Sequence, residues 1–287
     1  MNNRSLVKQI ISLAETPNEA NGQKYPSISL RALSQLAQEH EMEVRDAEIM
    51  SLKNGVIPRR YLRNIGSFGI AGQVKLLQSS VAVVGAGGLG GTIIELLARQ
   101  GTGHIIVIDD DCFTEQNLNR QLLSTEKNLG KYKAEAAARR VRHINSAVAL
   151  TVFIEKLNEE NADRLLNGAQ VVADALDNLP SRFTLEKACR YLGIPLVHGT
   201  IAGFCGQLTT IFPEDAGFCC IYGSSNELPE QGMEVQIGNP SSTPAVVAAW
   251  QVQEIVKIIT GIGTPLRNAL LVLDMMDGTV ERINISQ

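Results

Sequence analysis

Four short stretches carry residue types that handle a polyphosphate. The first is Gly85-Ala86-Gly87-Gly88-Leu89-Gly90, a Gly-x-Gly-x-x-Gly turn that follows the apolar run Val81–Val84. Glycines there let the backbone turn tightly against a nucleotide, and the N–H groups opening the next helix favour anionic oxygens. Asp109 closes the following apolar run about 20 residues on, where a carboxylate accepts hydrogen bonds from ribose hydroxyls. These features call for a nucleotide without separating NAD from ATP.

The other three stretches separate them. Asp110-Asp111-Cys112-Phe113-Thr114-Glu115-Gln116-Asn117-Leu118-Asn119-Arg120-Gln121 follows Asp109 directly. Then come Gly130-Lys131-Tyr132-Lys133 and Asp174-Ala175-Leu176-Asp177-Asn178. An arginine, a lysine and an aspartate thus fall near strand ends around the glycine turn, where open α/β sheets bind ligands. Hydride transfer has no evident use for them, and no acid–base pair on a second domain suits an NAD dehydrogenase. A triphosphate does use them: cations neutralise the transferring phosphorus and the leaving pyrophosphate, and a carboxylate holds Mg²⁺. Taken singly, each also has a plain reading. Arg63 and Arg120 suit surface ion pairs, Lys133 a solvated helix start, and Asp177-Asn178 a cap before Pro180.

The elements that must position these residues alternate. Strands are expected at Val81–Val84, His104–Asp109, Ala147–Ile154, Gln170–Ala175 and Pro195–His198. Helices are expected at Thr92–Gln100, Lys131–Ile144, Glu159–Leu166 and Pro180–Leu192. Strands apolar on both faces and separated by helices predict an α/β fold, a Rossmann-like mostly parallel sheet with helices on both faces. The tail predicts antiparallel additions: strands at Gly206–Phe212, Leu270–Asp274 and Thr279–Ile285, a long helix at Pro244–Thr260, and irregular chain over Phe218–Ser241. Residues 1–57 read as a small helical N-terminal appendage. Its amphipathic stretches Ser5–Glu15 and Leu30–Met50 are joined by a polar linker, Pro17–Ser27. Residues 58–287 would then be the nucleotide-binding domain.

Those motifs, in that order and spacing, resemble the ThiF/MoeB/HesA family, bacterial relatives of ubiquitin-activating enzymes. The resemblance runs from Arg60-Tyr61-Leu62-Arg63-Asn64 to the last strand. It implies an ATP-dependent adenylyltransferase with Mg²⁺, which activates the Gly-Gly carboxyl terminus of a ubiquitin-like sulfur-carrier protein and releases pyrophosphate. It implies that Gly85, Gly87, Gly88 and Gly90 approach the nucleotide and Asp109 binds the ribose. Asn117, Arg120 and Lys133 would grip phosphates, Asp177 would hold Mg²⁺, and Asp111, Gln121 and Asn178 complete the nucleotide set. Arg63 matches an arginine that reaches the partner subunit's site, which implies a homodimer. A tRNA-bound or peptide carboxylate, and a non-catalytic carrier-binding scaffold, are the alternatives.

The match departs from the family at its cysteines. The region of the first zinc pair reads Gly217-Phe218-Cys219-Cys220-Ile221-Tyr222, and a second pair is missing, so no zinc is expected. The stretch Glu234–Pro240 lacks the cysteine that accepts the acyl group in some members, and Cys219 or Cys220 is a less favoured substitute. Cys112, Cys189 and Cys205 read as core or incidental. His198 falls near the expected cleft, as a substrate contact or a hydrogen-bonded structural residue.

Composition narrows the setting. The 287 residues carry a net charge of −4, with 44% hydrophobic and 20% charged residues. No global basic field favours nucleic acid or an anionic membrane. No span reads as transmembrane, no signal peptide is evident, and five cysteines without framework spacing suit a reducing cytoplasm.

Overall fold

The structure, a computed structural model, describes residues 3–20, 23–223 and 237–285. The N-terminal part is built from α1 (Asn3–Ser12), β1 (Glu15–Ala20), β2 (Gln23–Ile28), α2 (Leu30–Glu39), α3 (Val44–Lys53) and β3 (Ile57–Pro58). In α2, Leu33, Leu36 and Ala37 recur at helical spacing and are buried, and the Ser29 side chain caps the helix by accepting from the Ala32 N–H at 3.2 Å. They pack with Leu6, Ile10, Ile28, Ala47 and Val56 into a small core of their own.

One expectation is corrected here. Pro17–Ser27 is not a plain linker, because β1 and β2 pair antiparallel and β2 pairs parallel with β3. The appendage is therefore helices on a three-stranded sheet. The polar sequences Glu-Thr-Pro-Asn-Glu-Ala and Gln-Lys-Tyr-Pro-Ser-Ile lack the apolar alternation that marks a strand.

The helix α4 (Ile65–Leu77), kinked where Gly69 takes φ +64°, leads into the main sheet. That sheet contains β4 (Ser80–Val84), β5 (His104–Ile108), β6 (Ala149–Phe153), β7 (Val171–Asp174), β8 (Leu196–Ala202), β9 (Cys205–Ile211), β10 (Ala269–Asp274) and β11 (Thr279–Asn284). Their spatial order is β11-β10-β9-β8-β7-β4-β5-β6. The strands from β8 to β6 are mutually parallel, and β9, β10 and β11 add antiparallel at the other side.

Alternate residues of the parallel strands feed two cores. Val81, Val83, Ile105 and Val107 pack against α5 (Gly88–Gln100), α6 (Lys133–Ile144) and α10 (Ser242–Thr260). Ala82, Val84, Ile106 and Ile108 pack against α7 (Ala162–Leu166) and α8 (Leu179–Leu192). Each buried Val or Ile contributes roughly 1.5–3 kcal/mol, so helices must cover both faces. A last short helix, α9 (Cys219–Tyr222), follows β9. Among the described residues no helix is long and apolar enough to cross a membrane.

The chain order reverses at β4. From it the sheet grows one way to β5 and β6, and the other way to β7 and β8. A crevice therefore opens beyond the carboxyl ends of β4 and β7, where doubly wound sheets receive ligands.

Candidate active site

The glycine turn lies at that crevice, and steric limits dictate two of its glycines. Gly85 takes φ +95°, and a methyl there would lie 2.5 Å from the Ala175 carbonyl oxygen. At Gly90 it would lie 1.8 Å from the Gly85 carbonyl oxygen. Gly90 thus lets the turn close on α5, while Gly85, Gly87 and Gly88 line the cleft itself.

Asp109 follows β5 and braces the turn. Its Oδ2 accepts from the Ala86 N–H at 2.6 Å and its Oδ1 from the Asp111 N–H at 2.9 Å. Burial pushes its carboxyl above the usual range, while the Ala86 N–H and Lys133 pull the other way. Lys133 opens α6 and is only 7% exposed; its Nζ donates to Asp111 Oδ2 at 2.7 Å. A cation in a helix's first turn opposes the helix dipole, so an anion must hold it there. Asp111 now does so from an exposed position that leaves Lys133 facing the cleft.

Arg120 and Gln121 sit on a turn set by Asn117. The Asn117 side chain accepts from the Thr114 N–H at 2.9 Å, and its carbonyl accepts from the N–H groups of Arg120 and Gln121. Asn117 is buried behind the cleft and does not line it. Arg120 lines it, donating to the Gln116 carbonyl and Asn119 Oδ1 at 2.9 Å each. Gln121 lines it too, and its buried Oε1 has no hydrogen-bond partner within the described chain.

The opposite wall follows β7. Asn178 caps α8 by accepting from the Ser181 N–H at 2.9 Å, and its Nδ2 donates to Asp177 Oδ1 at 3.1 Å. Both residues line the cleft. Asp177 is exposed, and among the described residues no cation pairs with it. The cavity between the walls measures about 350 Å³. Arg63, by contrast, is exposed on the turn before α4 and lies outside the cleft of its own chain.

Arg182 and Thr200 belong to the same cleft and were not among the residues expected from the sequence. Arg182 is 6% exposed, yet stands in the first turn of α8. A cation so placed, eight residues after Asp174 at a strand end, was the available signal. His198 is fully buried and outside the cleft lining. Burial pushes its pKa down, against the pull of Asp174. Since a carboxylate only accepts, His198 Nδ1 donates to Asp174 Oδ2 at 2.6 Å and Nε2 accepts from the Tyr222 hydroxyl at 2.8 Å.

Cys205, Cys219 and Cys220 are exposed, Cys112 is half-buried, and Cys189 is buried, which raises its thiol pKa. Among the described residues no cluster of three His, Cys, Asp or Glu side chains could hold a metal. Of the Glu234–Pro240 stretch, residues 234–236 lie outside the described residues.

A doubly wound sheet, a glycine turn at its crossover and a cleft lined by cations and an exposed carboxylate define a Rossmann-like nucleotide-handling enzyme. The chain belongs to the ThiF family, whose model matches residues 61–287. It is 39% identical to a Haloferax volcanii protein named SAMP-activating enzyme E1, over 78% of this chain and 84% of that one. It is 33% identical to the sulfur carrier protein adenylyltransferase of Thermus thermophilus, over 76% and 82% of the two chains. The chain spans about half the length of the relatives named adenylyltransferase and sulfurtransferase MOCS3, 52% of the Arabidopsis thaliana protein at 34% identity. Among solved structures, E. coli MccB bound to MccA-N7isoASN superposes with a TM-score of 0.71 at 21% identity, over 90% of this chain and 79% of that one. That last likeness shows the fold.

Proposed function

We propose that this chain is an ATP-dependent adenylyltransferase acting on a ubiquitin-like sulfur-carrier protein with a Gly-Gly tail. A terminal carboxylate oxygen of the carrier attacks the α-phosphorus of ATP. The α–β bridging bond breaks, the acyl-adenylate forms, and pyrophosphate leaves with the bridging oxygen. The observation that carries the reading is the pairing of walls. Arg120 and Lys133 stand on one side of the glycine turn, and Asp177, without a cation partner among the described residues, stands on the other.

The residues divide the work. Asp109 accepts from the ribose hydroxyls while it keeps the glycine turn in shape. The glycine turn lets the backbone approach the phosphates. Lys133 exchanges Asp111 for phosphate oxygens, and Arg120 takes charge developing on the leaving pyrophosphate. An open carboxylate that needs neutralising suits Mg²⁺, which binds through one or two carboxylates and the substrate's own phosphates. Asp177 would hold that ion, and bound there it would offset the charge that repels an incoming carboxylate. Gln121 and Asn178 line the same nucleotide slot, and Asn117 supports it from behind.

The same reading includes three further parts. Residues 1–57 are an appendage to the catalytic domain at 58–287. The protein is cytoplasmic, in keeping with its free cysteines. It works as a homodimer in which Arg63, exposed and outside its own cleft, serves the partner subunit's site.

Pyrophosphate exchange tests the reading. Protein mixed with a Gly-Gly-tailed carrier should move labelled pyrophosphate into ATP. Lys133→Ala should reduce exchange by about 10²–10³-fold, the scale of losing one donor to developing charge. Absence of exchange with every Gly-Gly-tailed carrier would overturn the reading.

A further inference from the structure

The cleft wall that bears Asp177 is held from beneath by a buried polar chain. Asp174 ends β7 with no exposed surface. Its Oδ1 accepts from the Leu176 N–H at 2.9 Å, and its Oδ2 accepts from His198. Arg182 Nε lies 3.5 Å from the same Oδ2. Arg182 then reaches outward with both remaining nitrogens. Nη1 donates to Thr200 Oγ1 at 3.0 Å and Nη2 donates to the Leu176 carbonyl at 2.5 Å.

That last contact falls on the peptide group leading into Asp177. Leu176 is thereby gripped at its N–H by Asp174 and at its carbonyl by Arg182. Asn178 fixes the other side of Asp177 by capping α8. The loop's single acidic side chain is thus placed from both ends. The cost of burying the guanidinium is offset by Asp174, and its position against the α8 dipole has no stabilising role of its own. Tyr222, at the end of α9, completes the chain by donating to His198 Nε2, which keeps the Nδ1 proton directed at Asp174.

We propose that Arg182 is a positioning residue for Asp177, setting the carboxylate through the Leu176 carbonyl, with Tyr222, His198 and Asp174 orienting the guanidinium in turn. The inference rests on the reading of Asp177 as the Mg²⁺ ligand. It extends that reading from Asp177 to residues that act on the ligand's orientation through the Leu176 carbonyl. Groups of this kind, removed from metal sites, typically weaken metal binding about 10–100-fold.

The test is Mn²⁺ binding, followed by electron paramagnetic resonance on the full chain saturated with α,β-methylene ATP. Arg182→Lys keeps a cation beside Asp174 but loses the planar fork, and should weaken Mn²⁺ binding by about tenfold or more. Thr200→Val, which retains every charge, should weaken it in the same direction by a smaller factor, and so should Tyr222→Phe. Thermal melts verify folding, and if Arg182→Lys does not fold, Thr200→Val decides. Folded Arg182→Lys and Thr200→Val proteins that bind Mn²⁺ within about twofold of wild type overturn the inference. Asp177→Asn separates the two levels. If it weakens Mn²⁺ binding and the Arg182 and Thr200 variants do not, the positioning role fails alone. If it has no effect, Asp177 is not the ligand, and both the reading and the inference fail.

Discussion

A methyl carbon built on Gly90 would stand 1.8 Å from the Gly85 carbonyl oxygen, far inside van der Waals contact. Both groups are backbone, so neither can swing away. Gly90→Ala must open the turn, at a cost of about 1–3 kcal/mol for the overpacking, and must displace the backbone that lines the cleft. Gly130→Ala is the matched control. Its φ is +75° and its surroundings are open, so only the backbone cost of about 1–2 kcal/mol applies. Urea denaturation should show both proteins destabilised by comparable amounts. Calorimetric titration with ATP should show binding lost in Gly90→Ala alone. Equal ATP affinity in the two variants would mean that the turn does not contact the nucleotide.

At the scale of elements, a buried acid on α3 joins it to the main domain, beside the Arg45 donation to the Gly103 carbonyl. Glu48 accepts from the Tyr61 hydroxyl at 3.0 Å and lies 3.4 Å from Arg60 Nε. Tyr61 in turn accepts from Asn145 at the end of α6, and Arg60 donates to Asn145 as well. Burial pushes Glu48 up from 4.5 to about 7, against Arg60 and the Tyr61 hydroxyl, which both lower it. A raised pKa means that the folded state holds the proton more tightly than the unfolded chain. The resulting stabilisation is full below pH 4.5 and is lost as pH rises through about 7. A shift of that size corresponds to up to about 3 kcal/mol. Wild type should therefore lose urea resistance across that window relative to Glu48→Gln, whose neutral amide does not titrate. Parallel stability–pH curves for the two proteins would refute the assignment.

The same elements show what was legible in the sequence. The five parallel strands and the helices between them were readable to within a few residues, because burial on both faces forces unbroken apolar runs such as Val81–Val84. The hairpin of β1 and β2 was not, since its pairing is a backbone matter and its side chains are polar. At the site, Arg120, Lys133 and Asp177 line one cleft with Gly85, Gly87 and Gly88, while Gly90 lies in the turn outside the lining. Asn117 stands behind the cleft because its side chain is used in capping the turn before Arg120. Arg182 escaped notice because a lone arginine on a helix resembles a solvated one. Only the three-dimensional return of β7 and β8 places Asp174, Thr200 and Leu176 around it.

At the scale of the whole molecule, Arg63 offers a test of the proposed homodimer. It is exposed, lies outside its own cleft, and shows no ion pair among the described residues. If it completes the partner subunit's site, Arg63→Ala and Asp177→Ala each inactivate both sites of a pure dimer. A mixed dimer behaves differently. One of its sites combines an intact Asp177 with an intact Arg63 from the other chain, and its second site carries both defects. Random pairing of equal amounts makes half of the dimers mixed, so co-expressed chains should recover about a quarter of wild-type exchange activity. If Arg63 instead serves its own chain, every site in every dimer carries a defect and no activity returns. Co-expression removes the question of subunit exchange, and two different affinity tags allow the mixed dimer to be isolated and assayed alone. Pyrophosphate exchange by that purified mixed dimer, at about half the wild-type rate per dimer, is the expected result; an inactive mixed dimer would confine Arg63 to a role within its own subunit.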